Sequence, residues 1–313
     1  LTQYIRWLNE IGTQDQDWAG DKAVVLGELM RAGFAVPRGY CIGASAYRET
    51  FAANGLNAKI IAHLSEIEMT DPAQLEQAAT EIRGWIENVP LSSEIENEIK
   101  AALAALNAPL NAVRVSRVSH DVPNPSASGA QQAYLAVPAA ALLDHVRKCW
   151  AAPWNSRAIY FRHRKKILPE QVAMAVVVQT TINADAAGVM FTASPMGKNS
   201  NEIHIDAIWG LGEAVVAARW RPDHFVVDKA SGAVSETSIA SKTVMDVAAA
   251  EGGVQTVGVP EEKQEVACLS EAQISALAEI GKQVETQFKQ LQDIEWCLKD
   301  DQVLLLQTRP MLK

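Results

Sequence analysis

The chain has 313 residues and a net charge of −9, with 37 acidic against 28 basic side chains. Nearly half of it is apolar, enough to bury one large composite domain or two ordinary ones. The acidic balance excludes a general grip on a nucleic-acid backbone, which needs basic surface, but leaves room for a local basic pocket for a nucleotide.

The opening LTQYIRWLNE has no signal-peptide pattern, and the lack of an initial methionine is expected of a processed or trimmed piece. Residues 21–34, DKAVVLGELMRAGF, place Val24, Val25, Leu29 and Met30 near helical spacing, and Gly33 ends the run. VPRGYCI turns into a short strand, and Ser45 is placed to cap a helix closed by Gly55. Residues 72–106 read as helices, with Ser93 and Glu96 as a capping box and Pro90 as a break. After about residue 110 strand-like segments take over: AVRVS, VAMAVVVQ, GVMFT, EIHIDAIW and HFVVD. Between them AALLDHVRKCW and GEAVVAARW read as helices. Ser270 and Gln273 form a second capping box, and Ile274, Leu277, Gly281, Val284, Phe288 and Leu291 line one helical face.

The longest apolar runs, such as Val172–Val178, are far too short to span a bilayer. Cys41, Cys149, Cys268 and Cys297 are widely spaced and without zinc-binding patterns, which suits free thiols in a reducing cytosol. The expected class is α+β, with a helical N-terminal part followed by mixed sheets. The expected division is 1–110 and 111–313, the two forming one composite module.

The closing DIEWCL–KDDQ–VLLLQTRP reads as a hairpin. Side chains alternate along a strand, so Asp293, Glu295 and Cys297 share a face. Glu295 meets Gln307, and Asp293 meets Arg309, only across an odd-length connection such as Asp300–Asp301–Gln302. An even one would set Glu295 opposite Leu306. A carboxylate and an amide oxygen are hard ligands suited to Mg²⁺, and a neighbouring arginine fork suits phosphate. A plain cross-strand ion pair, worth about 0.2–1 kcal/mol, is the bland alternative, and spacing alone favours it.

Eleven segments together resemble the N-terminal nucleotide-binding domain of the phosphoenolpyruvate synthase and pyruvate phosphate dikinase family. They are GDKAVVLGEL (20–29), VPRGYCIGASAY (36–47), AVR (112–114), SASGAQ (126–131), RAIYFR (157–162), VVVQ (176–179), GVMFT (188–192), WGLGEAVV (209–216), PDHFVVD (222–228), DIEW (293–296) and LLQTRP (305–310). Each is weak alone; their order and spacing along almost the whole chain make the resemblance specific. Rifampicin phosphotransferase carries a similar domain. The resemblance implies an ATP-grasp-like fold whose two lobes close on ATP. It implies Lys22, in the 1–110 lobe, as a phosphate-binding lysine, and Arg114 and Arg309 as phosphate-binding arginines. Gly129 matches a loop glycine that lets backbone N–H groups approach phosphate. Gln179, Thr181 and Ile182 match the adenine-reading hinge, and Glu295 and Gln307 match the Mg²⁺-ATP ligands. WGLGEAVV lacks the spacing of a phosphate loop and reads as structural, with Glu213 a candidate polar contact near the nucleotide.

The departures cluster in one stretch. Where the family has Arg-Ser-Ser-Ala-Thr and then Glu-Asp, this chain has Arg114, Val115, Ser116, Arg117 and Val118, then His120 and Asp121. Ala130 and Ala133 replace a glutamine and a threonine. Hydroxyl donors to phosphate are thereby lost, which puts transfer in question more than fold or nucleotide binding. Ser116 remains a candidate helper.

In the family, phosphate passes from Mg²⁺-ATP to a histidine on a separate swivelling domain, and a third domain hands it to the acceptor. None of the six histidines here has the phosphohistidine context, so this domain is expected to need both partners, in the same natural chain or as separate subunits. Neither nucleic acid nor membrane is an expected partner, and the expected compartment is the cytoplasm. Three readings follow: the ATP-binding part of a phosphoenolpyruvate synthase-like phosphotransferase, that of a related enzyme acting on an antibiotic or phenol, and a non-catalytic nucleotide-binding module.

Overall fold

The computed structural model describes residues 4–118, 132–197 and 199–311. Gly129, with the rest of the SASGAQ loop, and His120 and Asp121 lie outside the described residues.

The chain divides into two compact units, one of Leu1–Glu28 with Arg38–Thr181, the other of Leu29–Pro37 with Ile182–Lys313. The change of sequence style near residue 110 therefore falls inside the first unit and is not the boundary between compact bodies. The physical reason is strand pairing. In that unit β1 (Ile5–Trp7) and β2 (Gly39–Ile42) lie in one sheet with β3 (Leu110–Arg117), β4 (Ala133–Pro138) and β5 (Met174–Thr180), in the order β1-β2-β5-β3-β4. All its pairings are antiparallel. Early and late strands share hydrogen bonds, so no break at 110 is open to the chain.

Helix α1 (Gln16–Arg31) leads from the first unit into the second. Around the first sheet lie α2 (Ala44–Ala53), α3 (Leu56–Ser65), α4 (Pro72–Glu87), α5 (Ser93–Leu106), α6 (Leu142–Ala151) and α7 (Ser156–Lys165). Helix α6 buries Leu142, Val146, Cys149 and Trp150, a helical stripe that faces the core. Tyr47 stacks on Phe51 and accepts a hydrogen bond from the Trp154 indole at 3.1 Å, so that indole's polar tip is satisfied within the aromatic core. Two caps differ from expectation by a residue or two. Helix α5 is capped by Ser92, whose Oγ accepts from Ile95 N, and α2 starts from Gly43. In Ser-Ser and Gly-Ala-Ser runs propensity does not single out the residue whose backbone turns first.

The second unit is built on a six-stranded antiparallel sheet. It contains β6 (Ala186–Phe191), β7 (Glu202–Trp209), β8 (Asp223–Asp228), β9 (Val234–Ser238), β12 (Gln292–Lys299) and β13 (Gln302–Pro310), in the order β13-β12-β6-β7-β8-β9. A hairpin of β10 (Val244–Ala248) and β11 (Val254–Gly258) forms a second, two-stranded sheet, with the short helices α8 (Glu213–Val216) and α9 (Glu261–Gln264) nearby in sequence. Helix α10 (Glu271–Phe288) begins at the expected Ser270–Gln273 capping box and buries Ile274, Leu277, Gly281 and Val284. Asp223 is fully buried and holds three chain segments together. Its carboxylate accepts from Ala240 N at 2.9 Å, Cys268 N at 2.8 Å and the buried Lys242 ammonium at 2.6 Å.

The α+β expectation holds. Among the described residues the named strands all pair antiparallel, and the only parallel contact is an isolated bridge between Gly210 and Asp246. No helix among them is long and apolar enough to cross a membrane.

Candidate functional site

In the first unit, the stretch Val113–Val118 meets the segment that carries Lys22. Gly20 interrupts α1 at φ 76°, and a Cβ there would sit 2.6 Å from the Arg117 carbonyl oxygen, so glycine is required twice over. The helix proper therefore starts after Gly20, and its first N–H groups need acceptors. Ser116 supplies one from a distant strand: Ala23 N donates to Ser116 Oγ at 3.1 Å, while the Ser116 hydroxyl donates to the Ala19 carbonyl at 2.6 Å. Arg117 Nη2 donates to Asp21 Oδ2 at 3.2 Å. Ser116 is thus a helix cap rather than a phosphate helper, and Arg117 holds Asp21 beside Lys22. Ser116→Ala should cost about 1–2 kcal/mol of unfolding free energy, the value of a cap whose loss leaves a buried N–H without an acceptor. Chemical denaturation measures this, and a loss below about 0.3 kcal/mol would contradict the cap.

Register places the other expected residues of this unit together. Ala112 pairs with Gln179 and Arg114 with Val177 across β3 and β5, so Arg114, Ser116 and Gln179 lie on one face of the sheet. The start of α1 is seated on that same face through Ser116 and through Cys41, whose thiol contacts the Ala19 carbonyl. Arg114 and Gln179 are both buried. Lys22 stands near Cys149: burial pushes that thiol up to about 12, and the Lys22 charge pulls the other way. All four cysteines are free, and all four are buried. Thr181 ends this unit, with its N–H donating to Leu110 O at 3.0 Å and its Oγ1 accepting from Ala136 N at 3.2 Å. Its hydroxyl therefore steadies β4, where Ala136 has φ 54°.

In the second unit, Ile182 packs against Ala184, Ala187 and Cys297 beside Leu304 and Leu306. The hairpin brings Glu295 opposite Gln307 and Asp293 opposite Arg309, as the metal-site reading requires, but not by the expected route. The connection is the even one: Lys299 pairs with Gln302 and leaves only Asp300 and Asp301, at φ 50° and 61°, to turn the chain. Those angles are the paired positive values of a tight hairpin turn. An extra residue restores the parity. Trp296 pairs with Leu305 and Glu295 with Gln307, so Leu306 is a β-bulge. Leu304 and Leu306 then join the same apolar cluster, and Glu295 and Gln307 share a face.

Arg309 Nε donates to Asp293 Oδ2 at 2.7 Å, so the cross-strand ion pair exists on the face that carries the oxygen pair. Burial raises the Asp293 carboxyl above its ordinary range, with the Glu295 charge adding to the rise and Arg309 opposing it. Arg309 is half exposed, which leaves its remaining donors open to solvent. A carboxylate and an amide oxygen with no thiol or imidazole directly opposite fit Mg²⁺, which takes one or two such ligands and completes its sphere with phosphate and water. Among the described residues no set of three His, Cys, Asp or Glu could hold a metal without such help.

In WGLGEAVV, Gly210 serves a close backbone approach. Gly210 sits at φ 74°, its Cβ position lies 2.3 Å from the Asp246 carbonyl oxygen, and that oxygen accepts from Leu211 N at 2.8 Å. Glu213 is exposed at the start of α8.

A family profile described as "Pyruvate phosphate dikinase, AMP/ATP-binding domain" matches residues 16–313. The chain belongs to that family, and the resemblance drawn from its motifs is borne out. The "Probable phosphoenolpyruvate synthase" of Methanocaldococcus jannaschii is 35% identical over 99% of this chain and 27% of its own length. The "Phosphoenolpyruvate synthase" of Pyrococcus furiosus is 34% identical over 99% of this chain and 44% of its own. The "Rifampicin phosphotransferase" of Streptomyces sviceus is 35% identical over 99% and 36%. The chain thus spans between about a quarter and half the length of these relatives. Among solved structures, the D-alanine-D-alanine ligase of Helicobacter pylori aligns over 69% of this chain and 46% of its own at 10% identity, with a TM-score of 0.32, a likeness too slight to carry an argument.

Proposed function

We propose that this chain is the Mg²⁺-ATP-binding part of a phosphoenolpyruvate synthase-like phosphotransferase with an ATP-grasp-like architecture. In this reading phosphate passes from ATP to a histidine on a separate swivelling domain, in the cytoplasm. The observation that carries it is the hairpin register that sets Glu295 opposite Gln307, within a family match of nearly the full chain. Glu295 and Gln307 hold Mg²⁺, which neutralises charge on the phosphates. Lys22, Arg114 and Arg309 hold phosphate oxygens, with Gly129 admitting backbone N–H groups. Gln179, Thr181 and Ile182 read the adenine. Phosphoryl transfer is chiefly positioning and charge neutralisation, which is what lysine, arginine and metal ligands provide. Asp293 keeps the Arg309 fork in place when no phosphate is bound.

The test is thermal stability with and without Mg²⁺-ATP. A ligand at about 100 times its Kd adds about 2.7 kcal/mol, so the melting temperature should rise by several degrees. An unchanged value at saturation overturns the reading. A specific observation supports the non-catalytic alternative: Ser116 and Arg117, in the altered stretch, are engaged with the chain's own backbone and Asp21. Binding of ATP without labelling of any supplied phosphohistidine domain would favour it. The rifampicin phosphotransferase relative keeps an antibiotic or phenol acceptor as the other alternative.

A further inference from the structure

Strand alternation places Glu202, His204 and Asp206 on one face of β7, and His224 on the same face of β8, where it pairs with Asp206. These four side chains form a continuous string. His224 Nδ1 lies 2.7 Å from Asp206 Oδ1, His224 Nε2 lies 3.4 Å from His204 Nδ1, and His204 Nε2 lies 3.3 Å from Glu202 Oε2. An ionised carboxylate only accepts, so each outer contact draws the imidazole proton to the nitrogen beside the carboxylate. The two inner nitrogens, His204 Nδ1 and His224 Nε2, are then left with lone pairs facing each other. Two facing lone pairs repel unless a cation lies between them.

The spacing separates a proton from a metal. A hydrogen bond from nitrogen typically spans about 2.7–3.2 Å, and 3.4 Å is long for one. Two imidazole nitrogens bound at about 2.0–2.1 Å to one tetrahedral ion stand about 3.3–3.4 Å apart. Histidine ligands commonly give their other ring N–H to a carboxylate, which sets the tautomer; Asp206 stands in that place for His224 at 2.7 Å, and Glu202 beside His204 at a longer 3.3 Å. The rings lie at 42°, neither stacked nor in line, and both remain partly accessible to solvent. We propose that His204 Nδ1 and His224 Nε2 form a binding site for a borderline transition-metal ion such as Zn²⁺. Asp206 and Glu202 position the two imidazoles. No third protein ligand is present among the described residues, so water completes the coordination and the ion exchanges with chelators. Imidazole suits Zn²⁺, Ni²⁺ and Cu²⁺ rather than Mg²⁺, which makes this site chemically distinct from the oxygen pair Glu295–Gln307 on the same sheet.

The experiment is calorimetric titration of the chelator-stripped protein with ZnCl₂, in the absence of nucleotide. One ion per chain is expected. His204→Ala and His224→Ala should each weaken binding at least tenfold, and Asp206→Asn should weaken it about 10–100-fold, the usual cost of losing a carboxylate behind a ligating histidine. Glu295→Ala should leave it unchanged within about twofold, which separates this site from the proposed ATP metal. Cu²⁺ bound to the unaltered protein should show electron paramagnetic hyperfine structure from two nitrogens, a readout that needs no variant to fold. No heat of binding, equal binding by the His204→Ala/His224→Ala double variant, or a Cu²⁺ spectrum without two nitrogens overturns the proposal. Imidazole NMR showing a single proton shared by the pair, with no response to Zn²⁺, does so as well.

Discussion

Glu295→Ala yields a folded chain whose melting temperature no longer responds to Mg²⁺-ATP. Glu295 lies on a partly exposed sheet face, so truncation costs the unliganded fold about 1 kcal/mol or less. Its effect falls on the liganded state. Mg²⁺ bound by few protein ligands loses its only carboxylate of the Glu295–Gln307 pair, and an amide oxygen alone holds it weakly. The stabilisation of about 2.7 kcal/mol expected at 100-fold saturation then shrinks toward zero at the same ATP concentration. Glu295→Gln should retain the shape of the site but lose the charge, and so fall on the side of alanine. Differential scanning calorimetry with and without Mg²⁺-ATP decides the point. A full ligand-dependent rise in the alanine variant would remove Glu295 from the metal site.

Asp223→Ala destabilises the second unit by about 3–5 kcal/mol, the cost of stripping one partner from a buried ion pair. Lys242 is 5% exposed and would keep its charge without the carboxylate, and the N–H groups of Ala240 and Cys268 would lose their acceptor. The loss is larger than the interaction itself, because the penalty lies in what remains buried and unsatisfied. Asp223→Leu combined with Lys242→Met should recover part of it, since it removes the buried ammonium's desolvation penalty but leaves the N–H groups of Ala240 and Cys268 without an acceptor. Urea unfolding followed by tryptophan emission measures both. A loss below about 1 kcal/mol in Asp223→Ala would mean that water reaches the ammonium.

The hairpin shows how much of the site was legible. Alternation along DIEW correctly separated the faces of that strand, because side-chain direction there is local; along LLQTRP it held only beyond Leu306, since the bulge sets Leu305 on the opposite face from Gln307. The connection was misjudged. A two-residue turn at Asp300–Asp301 needs two positive φ values, which aspartates tolerate but do not announce. The bulge at Leu306 was invisible for the same reason: an apolar run such as VLLL carries no mark of which leucine is extra. Two misreadings of opposite parity would have cancelled, and the structure shows that the chain uses both devices. The boundary near residue 110 failed differently. Composition changes there, but β1 and β2 come from the early segment and belong to the same sheet as β3 and β5.

Other features lay in plain view without being decisive. EIHID alternates two acids and a histidine on one face, yet nothing in the sequence says that HFVVD will lie beside it and bring His224 to His204. Likewise Ser116 has the side chain of a phosphate ligand and of a helix cap alike, and only the seat of Gly20 against the end of β3 makes it the cap.

By itself the sequence determined the α+β class, the apolar faces of its long helices, and membership of a nucleotide-binding family through ordered motifs. These are properties of short segments and of their succession, and they survive without knowing any contact. The tertiary structure decided the register of the closing hairpin, the division into two units, the engagement of Ser116 and Arg117, and the imidazole pair. Each of those depends on which strands become neighbours and on single-residue parity, and both are settled by packing and hydrogen-bond closure across distant parts of the chain.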